Sequence, residues 1–287
     1  MPQFKQPPER DAREQERQKK FRKQFVADTP AWYHGMYHLG FTLTLTVGTL
    51  IYCIGRLDQP SLCEWALVPV FALVGNLAEY SAHRWVMHRP VPGLKMVYKR
   101  HCTSHHQFFT HHDLAYKGHK EWRALLFPPF APIAFVLLAI PPALVANWLV
   151  SSNAAYLIVI SMTGYYLFYE FVHTLSHLDD EKHPYLKLIP LINTVRRMHY
   201  IHHVLGLMQT KNFNLTFPIG DWLFGTTDLD RGFWGTMFNG DDDTYQQKGL
   251  QFEDLEVLLP GVDIPGTNRL PDEPLTHAKA HVTTPAE

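Results

Sequence analysis

The sequence predicts an all-α integral membrane protein with about four transmembrane helices arranged in two hairpins. Residues 124–169 form a run of 46 positions without a single Asp, Glu, Lys or Arg. A second apolar region, residues 37–82, is interrupted by the charged turn RLDQPSLCE at 56–64. Lysine and arginine cluster outside both regions. The alternative is a soluble helical bundle with two very apolar core hairpins.

The first apolar region has room for two spans, at residues 37–55 and 65–82. One crossing of a bilayer by a helix requires roughly 20 mostly apolar residues. The second segment is marginal because Glu79 lies near its end. The preceding polar segment, residues 1–30, contains no apolar stretch typical of a cleavable signal and predicts an amphipathic or solvated surface helix.

The longer apolar region contains the other two spans. Ser151, Ser152 and Asn153 form a polar cluster near its middle, which predicts the turn between them. Proline pairs at 128/129 and 141/142 are expected to bend or end helices, because proline lacks the backbone N–H that a helix needs.

The distribution of positive charge predicts the orientation. Residues 1–23 contain eight Lys or Arg, residues 83–123 contain eight more, and the two connecting turns contain only Arg56. Positively charged segments remain on the cytoplasmic side of a membrane. We therefore expect the N-terminus, residues 83–123 and everything after about residue 171 to be cytoplasmic.

Composition excludes several classes of function. A net charge of −1 gives no general reason to expect nucleic acid as a partner. The three cysteines form no C-x-x-C pair, and the chain has no G-x-G-x-x-G dinucleotide motif. Any electrons must therefore come from a separate donor. Residues 231–287 form a C-terminal extension that is expected to be partly disordered from about residue 261, where it becomes rich in proline.

Histidine is concentrated in two regions. Eight of the 18 histidines lie within residues 83–119 and six within 173–203. Each region contains one widely spaced pair followed by a tighter group, at His83, His88, His101, His105 and His106, and again at His173, His177, His199, His202 and His203. Each group follows one of the apolar hairpins.

Helical spacing gives these histidines a chemical meaning. Residues three or four apart share one helix face, so His173/His177, His101/His105 and His199/His202/His203 can each direct imidazoles to one point. The five-residue spacing of His83 and His88 requires a helix end or a local distortion. Imidazole suits Zn, Fe, Cu and Ni, and ten ligands predict two ions with about five each.

The remaining histidines of these regions do not follow the pattern. We interpret His111, His112, His119 and His183 as surface residues or as hydrogen-bond donors to the ligands. Arg84, Arg196 and Arg197 are expected to anchor the chain at the membrane interface.

The histidine motifs HRWVMH (83–88), HCTSHH (101–106), YEFVHTLSH (169–177) and RRMHYIHH (196–203), with NFNLTFPIGDWLFGT (212–226), resemble the fatty acid hydroxylase and sterol desaturase superfamily. This resemblance covers about residues 70–227. It implies four transmembrane helices below a cytosolic helical cap that carries the histidine motifs, within a catalytic domain at residues 31–230. It also implies two iron ions, which zinc can replace on purification.

The resemblance implies an O2-dependent enzyme that hydroxylates a C–H bond of a fatty acyl, sphingolipid or sterol-like lipid. Its electrons would come from a separate ferredoxin, cytochrome or reductase. One alternative is a desaturase, or another oxidative reaction, on a sterol, carotenoid or hydrocarbon chain. A second alternative is a non-catalytic membrane metal protein such as a zinc carrier.

Four further residues are candidates for support of the site. Glu170 lies three residues before His173 on the same helical face, where it can hydrogen-bond a ligand imidazole, and is the candidate catalytic carboxylate besides the histidines. Asn212, Asn214 and Asp221 follow the last motif, where they either orient His199 to His203 or cap turns.

Overall fold

A computed structural model describes residues 8–242 and contains helices but no β-strand in that range. The disorder expected from about residue 261 and most of the C-terminal extension lie outside the described residues. The α-helices in chain order are α1 (Pro8–Ala27), α2 (Gly35–Ile54), α3 (Leu62–Trp65), α4 (Leu67–Ala82), α5 (Lys95–Tyr98), α6 (His106–Phe108), α7 (Trp122–Leu125), α8 (Ala131–Leu149), α9 (Ser152–Ser176), α10 (Pro190–His202), α11 (Ile219–Leu223) and α12 (Phe233–Met237). Two π-helical segments, His83–Met87 and Lys99–His105, and one 3₁₀ helix, Pro184–Leu188, lie between them.

Four helical stretches are long and apolar enough to cross a membrane. They are Gly35–Ile54, Leu62–Met87, Ala131–Leu149 and Ser152–Ser176. The predicted all-α fold with four membrane-length helices is confirmed. The second stretch runs through α3, α4 and the first π-helical segment, so it is longer than the span predicted at 65–82.

Helix α9 packs against α8, α4 and α2. Small side chains allow two of these contacts to be close. Ala143 of α8 packs near Ala154 and Ile158 of α9, and a Cβ atom on Gly75 of α4 would lie 2.9 Å from the ring of Tyr165. Large apolar side chains such as Leu138 remain exposed on the outer face, as expected for helices that contact lipid.

The two polar turns between the long helices contact each other. Ser151 caps α9 by accepting a hydrogen bond from the N–H of Ala154 at 3.0 Å, as the polar cluster predicts. The amide of Asn153 donates to the carbonyl of Asp58 at 2.7 Å and accepts from its N–H at 2.9 Å. The turns therefore lie together at the opposite end of α4 and α9 from the histidines that follow these helices.

The two proline pairs behave differently. Pro128 and Pro129 lie between α7 and α8, where no helix continues. Helix α8 instead continues through Pro141 and Pro142, so of the two expected effects, bending or ending a helix, this pair does not end one. Ala139 and Ala143, on either side of these prolines, are buried, so this part of α8 is packed against the rest of the protein.

The N-terminal helix lies on the segment that follows the second histidine motif. Arg22 of α1 donates from Nε to the carbonyl of Phe108 at 2.7 Å and pairs with Asp113 at 2.9 Å. Gln18 donates to the same Phe108 carbonyl at 2.9 Å. Helix α1 is therefore a packed element rather than a freely solvated one.

Two arginines of α10 are buried rather than placed at an interface. Arg197 forms an ion pair with Asp228 at 2.9 Å, with both side chains fully buried. Arg196 donates to the carbonyls of Leu175 and Leu178 and pairs with Asp180 at 2.7 Å. The interpretation of these two arginines as membrane anchors is wrong, because both side chains are buried and bind acceptors within the fold. These contacts hold α10 in position.

Candidate metal centre

The ten histidines of the predicted site come together at one end of the long helices. Ligand atoms of five of them lie within 4.8 Å of one another, and this first group comprises His83, His88, His101, His106 and His202. Ligand atoms of four others do the same, and this second group comprises His105, His173, His177 and His199.

Within the first group the imidazoles approach through their Nε2 atoms. The Nε2 atoms of His83 and His101 are 2.8 Å apart, and those of His88 and His202 are 3.0 Å apart. The Nε2 atom of His106 lies 3.0 Å from that of His101. Five nitrogen donors therefore surround one point.

His203, the tenth histidine, lies beside the second group. Its Nε2 atom is 3.0 Å from that of His199, which is itself 2.9 Å from Nε2 of His177. The ring of His203 also stacks on that of His106 at 4.3 Å between centroids. The two groups are therefore in direct contact, with His203 on the boundary.

A π-helix aligns His83 with His88. The N–H of His88 donates to the carbonyl of His83 at 3.2 Å, five residues earlier. Hydrogen bonds of this type put residues five apart on the same face, and they often mark functional sites. The local distortion that this spacing requires is therefore the π-helical segment His83–Met87.

A second π-helix changes the expected partnership of His101. The sequence predicts that His101 and His105 share a face, as residues four apart do on an α-helix. In the structure Lys99–His105 is π-helical, and the N–H of His106 bonds to the carbonyl of His101. His101 therefore joins His106 in the first group, and His105 turns to the second.

Helix α10 also divides its histidines between the groups. His199 lies in the second group and His202 in the first. The expectation that His199, His202 and His203 converge on one point is wrong, because residues three apart on an α-helix are offset by about 60° around the axis. His199 and His203, four apart, do stay together. Helix α10 thus lies between the two groups and contributes to both.

Backbone carbonyls fix the orientation of five imidazoles. A carbonyl oxygen can only accept, so each of these rings carries its proton on Nδ1. Nδ1 of His83 donates to Phe213 O, that of His105 to Ala124 O, that of His177 to Leu114 O, that of His202 to Lys211 O and that of His203 to Phe109 O. When these rings are neutral, their Nε2 atoms present lone pairs to the interior of the groups.

These lone pairs exceed what hydrogen bonds among the histidines can satisfy. His177 and His203 both present Nε2 lone pairs to Nε2 of His199, which can donate a proton to only one of them. A metal cation resolves this conflict, since it accepts lone pairs from several imidazoles at once. The donors present, all imidazole nitrogens, fit a first-row transition ion in each group.

Burial keeps the imidazoles in the form that binds metal. Desolvation lowers the pKa of His202 and His106 well below the ordinary value, and neighbouring imidazoles lower both further. Desolvation lowers the pKa of His105 to about 3. The rings are therefore neutral at pH 7 even without a metal, so few protons must leave when an ion binds.

The segment Lys211–Asn214 positions the first group. Its carbonyls at Lys211 and Phe213 accept from His202 and His83. Asp221 holds this segment by accepting the N–H groups of Phe213 at 2.9 Å and Asn214 at 2.7 Å. Asp221 thus positions the histidines indirectly, through the backbone of this segment. Burial raises the pKa of its carboxyl group to about 6.

The two asparagines of this segment have different partners. Asn212 has a positive φ of 56°, which asparagine tolerates better than most residues, and it donates to Met198 O at 3.2 Å and Asp228 at 2.9 Å. It therefore ties the segment to α10. Asn214 accepts from the N–H of Asp221 at 3.2 Å and donates to the carbonyl of Asn76 in α4 at 3.1 Å.

Glu170 has other partners than the histidine expected. Its Oε1 atom accepts from the N–H of Phe127 at 3.1 Å and from the hydroxyl of Tyr166 at 2.9 Å. The side chain therefore connects α9 to the segment before α8. Its role as the candidate catalytic carboxylate stays a prediction.

Sequence reasoning missed the role of Glu79. Its carboxylate accepts from the hydroxyls of Tyr165 and Thr216 at 2.5 Å and 2.7 Å and from the N–H of Leu215. It therefore links α4, α9 and the segment that orients His83. The sequence signal was its position, a single acid four residues before the first histidine, within an otherwise apolar helix.

Comparison with known proteins agrees with this arrangement. A family model described as fatty acid hydroxylase matches residues 68–226, more than half of the chain and all ten histidines. No curated protein and no solved structure gives a match.

Proposed function

Because the chain belongs to the fatty acid hydroxylase family, we propose that it is an O2-dependent, non-haem di-iron monooxygenase that hydroxylates a C–H bond of a lipid. The substrate class is a fatty acyl, sphingolipid or sterol-like molecule. The observation that carries the proposal is the pair of buried histidine groups in contact at one end of four membrane-length helices. All ten histidines are the proposed ligands.

The overall reaction consumes one C–H bond, one O2, two electrons and two protons, and yields an alcohol and water. Two iron ions, when bound, supply the redox chemistry that lets O2 react with an unactivated C–H bond. Two electrons must enter in each turnover. We assign them to a separate redox partner, a ferredoxin, cytochrome or reductase, because the sequence shows neither a G-x-G-x-x-G dinucleotide motif nor a cysteine set for an iron–sulfur cluster.

In this reaction the protein holds and orients the metal ligands and keeps water away from them. Carbonyls of the cytosolic segments fix five imidazoles, so the donor atoms are in place before metal binds. Nine of the ten ligand histidines are buried and His101 is half-buried, which excludes water that would otherwise intercept a reactive oxidant. The apolar helices supply surroundings in which a hydrocarbon chain is soluble.

The chain is an integral membrane protein, and we infer its orientation from charge. The basic segments at residues 1–23 and 83–123 favour a cytoplasmic N-terminus and cytoplasmic histidines. The contact between the two polar turns, at Asn153 and Asp58, supports their placement on the opposite side. We assign residues 31–230 to the catalytic domain, 1–30 to a cytosolic N-terminal segment and 231–287 to a cytosolic extension.

Lipid analysis tests the proposal. The wild-type gene, His202→Ala and the control His183→Ala are expressed in a host supplied with a redox partner, and extracted lipids are compared by mass spectrometry. We expect one lipid class to gain one oxygen in wild type and His183→Ala and none in His202→Ala. Iron content, measured on the purified proteins, should fall only in His202→Ala. His183 lies outside both histidine groups, and its side chain hydrogen-bonds to the hydroxyl of Tyr185.

Other results would redirect the assignment. A loss of two hydrogens from a lipid, with no added oxygen, would favour a desaturase. Unchanged iron content and product in His202→Ala would contradict the ligand assignment. An unchanged lipid profile with two metals bound per chain, repeated with several donor systems, would favour a non-catalytic metal protein.

A further inference from the structure

A third cluster of metal-ligating side chains lies outside the ten histidines. Ligand atoms of Asp11, His111 and His112 lie within 4.8 Å of one another. Asp11 comes from α1, and the two histidines come from the turn after α6, about 100 residues later. The cluster therefore joins the N-terminal helix to the segment that follows the second histidine motif.

The spacing within this cluster suits ligands of a shared ion. Nδ1 of His112 lies 3.3 Å from Oδ1 of Asp11. Two ligands on a tetrahedral ion with bonds of about 2.0–2.1 Å are separated by about 3.3 Å. The two atoms are therefore spaced so that both can bind one ion.

Neighbouring groups orient the two ligands. The other nitrogen of His112, Nε2, lies 3.3 Å from Oε2 of Glu14, one turn after Asp11 on α1. A carboxylate in this position is the usual partner of a metal-binding histidine. The second oxygen of Asp11, Oδ2, accepts from the amide of Gln15 at 2.8 Å. Asp11 and His112 therefore each have one side-chain atom held by α1 and another directed to the cluster.

A tight turn brings the consecutive histidines together. The N–H of Asp113 bonds to the carbonyl of Thr110 at 3.1 Å, and the rings of His111 and His112 lie 3.9 Å apart. The hydroxyl of Thr110 donates to Gln18 of α1 at 2.8 Å, which fixes the turn on the helix. The side chain of Asp11 keeps 38% of its exposure, so an ion can enter from solvent.

We propose that Asp11, His111 and His112 bind one Zn²⁺ or similar divalent ion, with Glu14 orienting His112. Two imidazoles and one carboxylate suit zinc, whereas calcium and magnesium require more oxygen ligands. The ion connects α1 to the turn at residues 110–113, and we call this connection the clamp. Because Phe109, one residue before that turn, accepts the Nδ1–H of His203, the clamp is connected to the histidine that lies between the two groups.

Metal counting tests this site independently of catalysis. Purified protein in detergent is loaded with excess Zn²⁺, freed of unbound ion and analysed by mass spectrometry for zinc per chain. We expect Asp11→Asn and His111→Ala each to hold one equivalent less than wild type, and His183→Ala to match wild type. The test compares the zinc content of each variant with that of wild type, so its result does not depend on how many ions the ten histidines bind. Equal zinc content in wild type, Asp11→Asn and His111→Ala overturns the proposal.

Proteolysis tests the clamp itself. Helix α1 contains several trypsin sites, among them Arg13, Arg17 and Lys20. Zn²⁺ should slow cleavage within α1 at least several-fold in wild type and leave the rate in Asp11→Asn unchanged, since that variant keeps the shape of the side chain without its charge. Equal protection of both proteins, or none in a wild type that binds the additional zinc, overturns the clamp.

Discussion

Nδ1 of His202 donates to the backbone carbonyl of Lys211 at 2.8 Å, nine residues later in the chain. This hydrogen bond fixes both the tautomer and the direction of the His202 ring. The same short segment provides the carbonyl of Phe213 for His83. Two ligands from distant parts of the sequence therefore depend on the backbone of Lys211–Asn214, which Asp221 holds in place.

Replacement of Asp221 tests this dependence. Asp221→Asn puts an amide N–H₂ group in place of one of the two oxygens that accept from Phe213 and Asn214. We expect affinity for metal or activity to fall about 10- to 100-fold, the usual effect of losing support behind a ligand. Metal retention during dialysis against a chelator measures the change. Asp28→Asn, at an exposed position just after α1, is the control, and equal retention by the two variants would contradict the role of Asp221.

The five-residue spacing of His83 and His88 should be essential. Deletion of Val86 shortens it to four and removes the residue that the π-helix accommodates. We expect the deletion variant to lose the metal of the first group and all activity, whereas Val86→Ala keeps both. Metal stoichiometry of the purified proteins is the measurement. A deletion variant with full metal content would show that the π-helix is dispensable.

The sequence predicted which residues come together better than how they are arranged. The four membrane-length helices and the clustering of the histidines were predicted because apolar length and residue type are local properties of a sequence. The division into two groups was not predicted. His101 changes partner because Lys99–His105 forms a π-helix, and no residue preference in the sequence predicts a π-helix there. The burial of Arg197 was missed for a similar reason, since its partner Asp228 is 31 residues away and adjacent only in the fold.

Acid should destabilise the metal-free protein. Burial lowers the pKa of His88, His101 and His202 well below the value of about 6.5 that histidine has in an unfolded chain. Below pH 6.5 the unfolded chain therefore binds protons that the folded chain does not, and stability falls by about 1.4 kcal/mol per histidine per pH unit until the folded pKa is reached. Melting temperatures of chelator-treated protein between pH 8 and 5.5 measure this. A constant or rising melting temperature below pH 6.5 would contradict it.

The buried ion pair of Arg197 and Asp228 should be costly to break from one side. Arg197→Met leaves the carboxylate of Asp228 buried without its guanidinium partner, although the amide of Asn212 still donates to it. Removal of one member of a buried ion pair costs about 3–5 kcal/mol. We expect a large fall in melting temperature and in the monodisperse fraction after purification. The double variant Arg197→Met/Asp228→Leu should lose less than Arg197→Met alone, because no charge remains buried. Arg89→Met, at an exposed position, is the control.

Glu79 should stabilise the junction of the membrane helices with the metal centre. In Glu79→Gln, one carboxylate oxygen becomes an N–H₂ group that faces existing donors from Tyr165, Leu215 or Thr216. A donor left without an acceptor at such a site costs about 1–3 kcal/mol. We therefore expect Glu79→Gln to melt at a lower temperature than wild type and to lose metal faster, since the same segment orients His83. Tyr165→Phe removes one donor and keeps the carboxylate, so it should be milder in both measurements. If Glu79→Gln matched Tyr165→Phe in both measurements, the carboxylate would act only as a hydrogen-bond partner of Tyr165. The link from α4 to the segment Lys211–Asn214 would then depend on the hydrogen bond from Asn214 to Asn76.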